Sequence, residues 1–132
     1  MREVKVATAQ FETTPDVEEN RKKALRCCEE AARKGAQAIC FAEFWMTGNP
    51  IIGDNSKLIK QAEPIPGPTF DLLTKKAKEL GIYIIPGTII EKSDNGKFYN
   101  TSGLISASGK LLAKIRKDHP ENALARLRFT SA

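Results

Sequence analysis

Apolar and polar positions alternate with a period of two over residues 3–11, "EVKVATAQF", where Val4, Val6 and Thr8 share one face, so the chain opens on a strand. The period then lengthens. "TTPDVEEN" carries the chemistry of a helix start, with Asp16 at the cap, Glu19 three residues on and acids in the first turn, where the helix dipole favours them. Val17, Asn20, Ala24, Cys27, Cys28 and Ala31 form a stripe at helical spacing, and Gly35 suits the helix end. Residues 36–44, "AQAICFAEF", are almost continuously apolar, the pattern of a strand covered on both faces. "WMTGNPIIGDN" is a loop by its Gly, Asn and Pro content.

A short helix over 56–62 and the stiff turn "EPIPGP" come next. Thr69 is the expected cap of a second helix, striped by Phe70, Leu73, Ala77 and Leu80 and closed by Gly81. The rest is strand-like: residues 82–92, 97–106 and 110–117, with Asn95-Gly96 as the strongest hairpin signal. Strand, helix, strand and helix followed by hairpin-linked strands make an α/β layered domain. Two substantial helices cover one face of such a sheet, whereas the apolar strands ask for cover on both. The pattern is that of an unfinished fold.

Composition narrows the function. The formal charge is +5, yet the basic residues are scattered over every segment and interleaved with acids, with no nucleic-acid-binding signature, so no nucleic-acid partner is expected. No apolar run approaches the about 18 residues that span a bilayer, and the N-terminus is a charged strand and not an apolar signal segment, so no membrane partner is expected either. Cys27 and Cys28 are adjacent and Cys40 makes the count odd, which fits reduced cytoplasmic thiols better than a disulfide framework. His119 is the one histidine and has no ligand-spaced companion, so neither a metal nor a cofactor is expected.

Two charges break the apolar pattern. Glu43 is in phase with Ile39 and Phe41 at the end of one strand, and Lys117 is in phase with Leu111, Ala113 and Ile115 at the end of another. Each alone reads equally well as a strand-end residue meeting water. Two of opposite sign, each closing an apolar face, suggest a paired site.

"VKVATAQF", "EENRKKALRCCEEAARKGAQAICFAEFWMTG", "IPGTIIEK" and "YNTSGLISASGKLLAKIRKDH" are similar, in order and spacing, to the N-terminal half of the nitrilase superfamily of carbon–nitrogen hydrolases. The resemblance runs from about Val4 to His119, and residues 120–132 match poorly, so residues 1–132 are read as a partial domain of that family with a divergent tail. The resemblance implies an αββα sandwich, here incomplete, and hydrolysis of non-peptide C–N bonds in small amides, nitriles or carbamoyl compounds by a Glu-Lys-Cys triad. By motif position Glu43 resembles the general base and Lys117 the lysine that stabilises the tetrahedral intermediate. A carboxylate at a strand end is suited to taking a thiol proton and passing it to leaving ammonia, and a fixed ammonium offers charge where the oxyanion develops.

The thiol has no counterpart among these residues. Cys40 lies three residues before Glu43, about 10 Å along a strand and expected on the opposite face, and Cys27 and Cys28 sit mid-helix. The resemblance also makes Glu121 a counterpart of a second glutamate that positions the lysine in some members. The loop that begins at Trp45 is expected along one side of the substrate pocket, with Trp45 itself either lining it or packing beneath it. Asn100 and Thr101 of the Tyr-Asn-Thr motif are expected to be structural hydrogen-bonders. The chain is read as part of a longer enzyme, inactive alone, or as a non-catalytic half-domain serving as scaffold or subunit, with exposed strand edges that invite a homo-oligomer or a complementing second half.

Overall fold

The computed structural model describes residues 3–49 and 56–117; His119, Glu121, the tail 120–132 and residues 50–55 of the expected loop lie outside them. Helix α1 (Val17–Arg33) starts at Asp16, whose carboxylate accepts the N–H of Glu18 at 2.8 Å and of Glu19 at 3.2 Å. The capping box is not reciprocal: Glu19 instead accepts the Thr14 hydroxyl at 3.0 Å. Asp16→Ala should cost about 1 kcal/mol of unfolding free energy, measured by urea unfolding. A loss below about 0.3 kcal/mol would mean that Thr14 and Glu19 suffice without it. At the other end Gly35, at φ +80°, donates to the Ala32 carbonyl and Ala36 to that of Ala31, the paired bonds of a glycine-closed helix.

Helix α3 (Pro68–Leu80) begins two residues earlier than a Thr69 cap would set it, because Gly67 stands at the cap and offers no side chain. Glu63 supplies what is missing. Its carboxylate accepts both the Thr69 N–H at 2.8 Å and the Thr69 hydroxyl at 2.9 Å, and pairs with Arg21 of α1. Thr69 is therefore a partner inside the first turn and not the cap.

Six strands form one mixed sheet: β1 (Val6–Ala9), β2 (Ala38–Phe41), β3 (Tyr83–Ile85), β4 (Ile89–Lys92), β5 (Phe98–Ile105) and β6 (Leu111–Arg116). The first three run parallel, while β3, β4 and β6 all pair antiparallel with β5. Strands β3 and β4 lie end to end along one side of β5, with Ile84 opposite Ile105 and Ile89 opposite Thr101. The single strand expected over 82–92 is thus broken at Pro86-Gly87. The Asn95-Gly96 turn joins β4 to β5 as expected, with Gly96 at φ +76° and its N–H on the Ser93 carbonyl.

One face of this sheet is the core. Ile39, Phe41, Ile84, Ile89 and Ile105 pack against Ala24, Cys28 and Ala31 of α1 and Phe70, Leu73 and Ala77 of α3. The other face is largely open, with Val6 57%, Tyr83 44% and Ile115 65% exposed. Strand β2 corrects the two-faced expectation, since Ile39 and Phe41 are buried while Ala38 and Cys40 are only half-buried. The short helix α2 (Ser56–Lys60) covers the open face at one corner, where Leu58 and Ile59 meet Phe44 and Ile90. A helical layer on one side of a single sheet is half of an αββα sandwich, in line with the expected incomplete architecture.

Candidate active site

The open face carries the site at the carboxyl end of β2. Regular pairing stops at Phe41, and Glu43 makes an isolated parallel bridge to Thr88. Phe44 follows at φ +55°, a left-handed conformation that bulky residues rarely adopt. Its N–H donates to the Thr88 carbonyl at 2.9 Å, and its own carbonyl accepts Gly48 N–H at 2.8 Å, so the chain turns sharply just beyond Glu43.

Lys117 extends β6 by one residue, its N–H on the Asn100 carbonyl at 2.8 Å. Its Nζ donates to Glu43 Oε1 at 3.1 Å, joining residues 74 positions apart. Asn100 Nδ2 donates to the same oxygen at 2.6 Å. The two expected charges are therefore paired, and Asn100 is part of the pair. Lys117 is 33% and Glu43 45% exposed at the side chain, so the ion pair is open to water on one side.

The strand phases differ from those read in the sequence. Asn100 faces away from the core, because its neighbour Thr101 and then Gly103 point toward Phe70 and the helices. Glu43 meets Asn100 on that outer face although Ile39 and Phe41 lie in the core, since the alternation is interrupted at Ala42. A register shift in the β5–β6 ladder does the same to Lys117: Leu111 pairs with Ile105 in the core, whereas Ala113 and Ile115 pair with Leu104 and Ser102 on the open face. Cys40, level with Thr8 and Ile85, thus shares the face of Glu43, and what separates them is the run of about 10 Å along the strand.

The cysteines are otherwise as expected. Cys28 is buried in the core, and burial pushes its thiol up to about 12. Cys27 beside it is raised as well, by burial first and then by Glu30. Such thiols stay protonated and unreactive near neutral pH. Cys40 Sγ contacts the Phe41 carbonyl at 3.6 Å. Among the described residues no group of His, Cys, Asp or Glu could hold a metal ion, and no helix is long and apolar enough to cross a membrane.

Trp45 is 3% exposed, edge-on to Phe11 and tilted against Phe41, with its indole N–H on the Pro86 carbonyl. It is a packing residue that also borders a hollow of about 150 Å³ shared with Glu43, Gln10 and Thr13.

Behind the site lies a cluster that the sequence reading missed. Glu91, 2% exposed on the core face of β4, accepts Lys114 at 2.8 Å, Arg116 at 2.9 Å through both oxygens, and Thr101 at 2.7 Å. Arg116 in turn lies 3.8 Å over the Tyr99 ring. Burial pushes the Glu91 carboxyl upward, but the bonds from Arg116, Lys114 and Thr101 outweigh it and hold the group down at about 2. Its period-two partners in "KIR" were the available signal: Lys114 and Arg116 face Glu91 while Lys117, one residue on, faces Glu43.

A carboxyl lowered by folding stabilises the protein in full above its ordinary value of 4.5 and loses that contribution as pH falls through about 2. The urea midpoint should therefore fall over this window, and Glu91→Gln should flatten the fall. An unchanged pH slope in Glu91→Gln would contradict the assignment.

Residues 5–131 match the sequence profile of the family described as carbon-nitrogen hydrolase. Omega-amidase NIT2-B of Xenopus laevis is 40% identical over 119 residues, 90% of this chain and 41% of that protein. Omega-amidase NIT2 of Homo sapiens is 36% identical over 120 residues, again 90% of this chain and 41% of that protein. The solved structure of Saccharomyces cerevisiae Nit3, described as a member of branch 10 of the nitrilase superfamily, superposes with a TM-score of 0.76 at 26% identity over 88% of this chain and 44% of that one. An N-terminal amidase superposes at 0.83 with 18% identity over 98% of this chain and 31% of that one, a likeness of fold alone. The chain spans about two fifths of the length of the curated relatives it matches.

Proposed function

This chain belongs to the carbon-nitrogen hydrolase family, and from that premise we propose that Glu43 and Lys117 are two of the three catalytic groups of an amide hydrolase, the third being a thiol outside these 132 residues. The observation that carries the reading is the Glu43–Lys117 pair itself, 3.1 Å apart, with Glu43 bordering a hollow at the carboxyl end of β2. The substrate class is a small molecule with a terminal carboxamide, in keeping with the omega-amidase names of the relatives.

In this reading the thiol gives its proton to Glu43 as sulfur attacks the carbonyl carbon. Lys117 stabilises the negative oxygen that forms. The C–N bond breaks as Glu43 passes the proton to the leaving nitrogen, which departs as ammonia and leaves a thioester. Water then attacks the thioester, Glu43 takes its proton and returns one to sulfur, and the acid is released. Residues 1–132 act as a partial domain whose open face, with Val6, Tyr83 and Ile115, receives a complementing half or a second copy. The three unpaired cysteines suit a cytoplasmic setting.

The test is a hybrid in which residues 5–117 replace the matching segment of the Xenopus laevis omega-amidase. The folded hybrid should release ammonia from a small ω-amide, and Lys117→Ala should lower kcat about 10²–10³-fold, as loss of an oxyanion donor does. Full activity in Lys117→Ala would overturn the role. The 132-residue chain alone should release none. A defined, soluble assembly of that chain together with an inert hybrid would support a scaffold instead.

A further inference from the structure

Asn100 is 2% exposed, yet among the described residues its buried Oδ1 has no hydrogen-bond partner. A buried amide with half its capacity unmet is costly, and an apolar side chain of the same shape would avoid that cost. What Asn100 does provide lies in the site. Its Nδ2 holds Glu43 Oε1 at 2.6 Å, and its main-chain carbonyl holds the Lys117 N–H at 2.8 Å. One residue of β5 therefore fixes the carboxylate through its side chain and the lysine through its backbone. Both donors, Asn100 and Lys117, meet Oε1, and among the described residues Oε2 accepts no hydrogen bond.

Resting on the proposed hydrolase reading, we infer that Asn100 is a positioning residue that fixes Glu43 and Lys117 relative to each other and leaves Oε2 as the oxygen that exchanges the proton. Thr101, one residue on, hydrogen-bonds Glu91 on the opposite face, so β5 is pinned from behind where Asn100 acts in front. Free rotation of the Glu43 carboxylate would spread the proton acceptor over several positions. The amide restricts it to one, and misplacing a catalytic group by about 1 Å costs up to about 10²-fold in rate.

The discriminating variant is Asn100→Leu, which keeps the branched outline at a larger volume, removes the unpartnered oxygen and removes the donor. In the hybrid, kcat should fall about 10–100-fold with KM within about twofold, while the melting temperature is unchanged or higher. Loss of both activity and stability in parallel, or kcat unchanged while Glu43→Gln abolishes turnover, would overturn the positioning role. In the 132-residue chain, the Asn100 side-chain amide protons should be shifted downfield in 15N NMR spectra and move in Glu43→Ala. Amide resonances that ignore Glu43→Ala would overturn the contact itself. Turnover surviving Glu43→Gln would sink the hydrolase reading and leave this spectroscopic result standing by itself, so the two failures are distinguishable.

Discussion

Glu43→Gln should lower kcat of the hybrid enzyme by about 10³-fold, within the about 10²–10⁴ expected of a general acid–base group, while leaving its melting temperature nearly unchanged. Gln keeps the shape and can still accept the Asn100 amide, so what is lost is the site that takes and gives a proton and the charge paired with Lys117. The small effect on stability follows from exposure. The Glu43 and Lys117 side chains are 45% and 33% exposed, and ion pairs so placed contribute about 0–1 kcal/mol. A change that removes activity but not stability distinguishes a working pair from a structural one. Ammonia release and thermal melting of the same preparation measure both. A matching loss of both would point to a structural ion pair.

The second large effect lies in the backbone under the site. Gly87 sits at φ +59°, and a Cβ there would lie 2.0 Å from the Ala42 carbonyl oxygen and 2.7 Å from that of Phe41. Both obstacles are main chain and cannot rotate away. Gly87→Ala should therefore cost on the order of 3 kcal/mol, the sum of left-handed strain and a steric overlap. The displacement would pass to Thr88, which carries the Phe44 N–H and the bridge to Glu43, so activity should fall along with stability. Urea unfolding measures it, and a cost below about 1 kcal/mol would show that the crossing of β2 and the β3–β4 break has room to spare.

Much of this was legible in the sequence, and the failures have a common origin. The ends of α1 were readable because Asp16 and Gly35 act locally, through bonds within a few residues. The pairing of Glu43 with Lys117 was readable because opposite charges at two apolar strand ends need each other. The faces were misread because period-two counting assumes unbroken strands, and here Ala42 interrupts one and a register shift interrupts the other. The Thr69 cap was misplaced because the true acceptor, Glu63, comes from a residue before the turn and is held there by Arg21. Glu91 was missed because a glutamate in "TIIEK" looks like a strand end until β6 brings Lys114 and Arg116 against it. The sequence reads Asn100 as structural, and its oxygen, unpartnered among the described residues, is a property of packing that no sequence pattern contains.

Cys40 tests the central claim most directly, since it shares the face of Glu43 and is half-buried there. The decisive measurement is ammonia release from an ω-amide by the hybrid with Cys27, Cys28 and Cys40 all replaced by serine, set beside the same protein carrying Glu43→Gln. If Glu43 and Lys117 serve a thiol outside this chain, the triple-serine hybrid keeps its turnover and the added Glu43→Gln abolishes it. Turnover lost on replacing the cysteines with the fold intact, or retained after Glu43→Gln, would contradict that assignment.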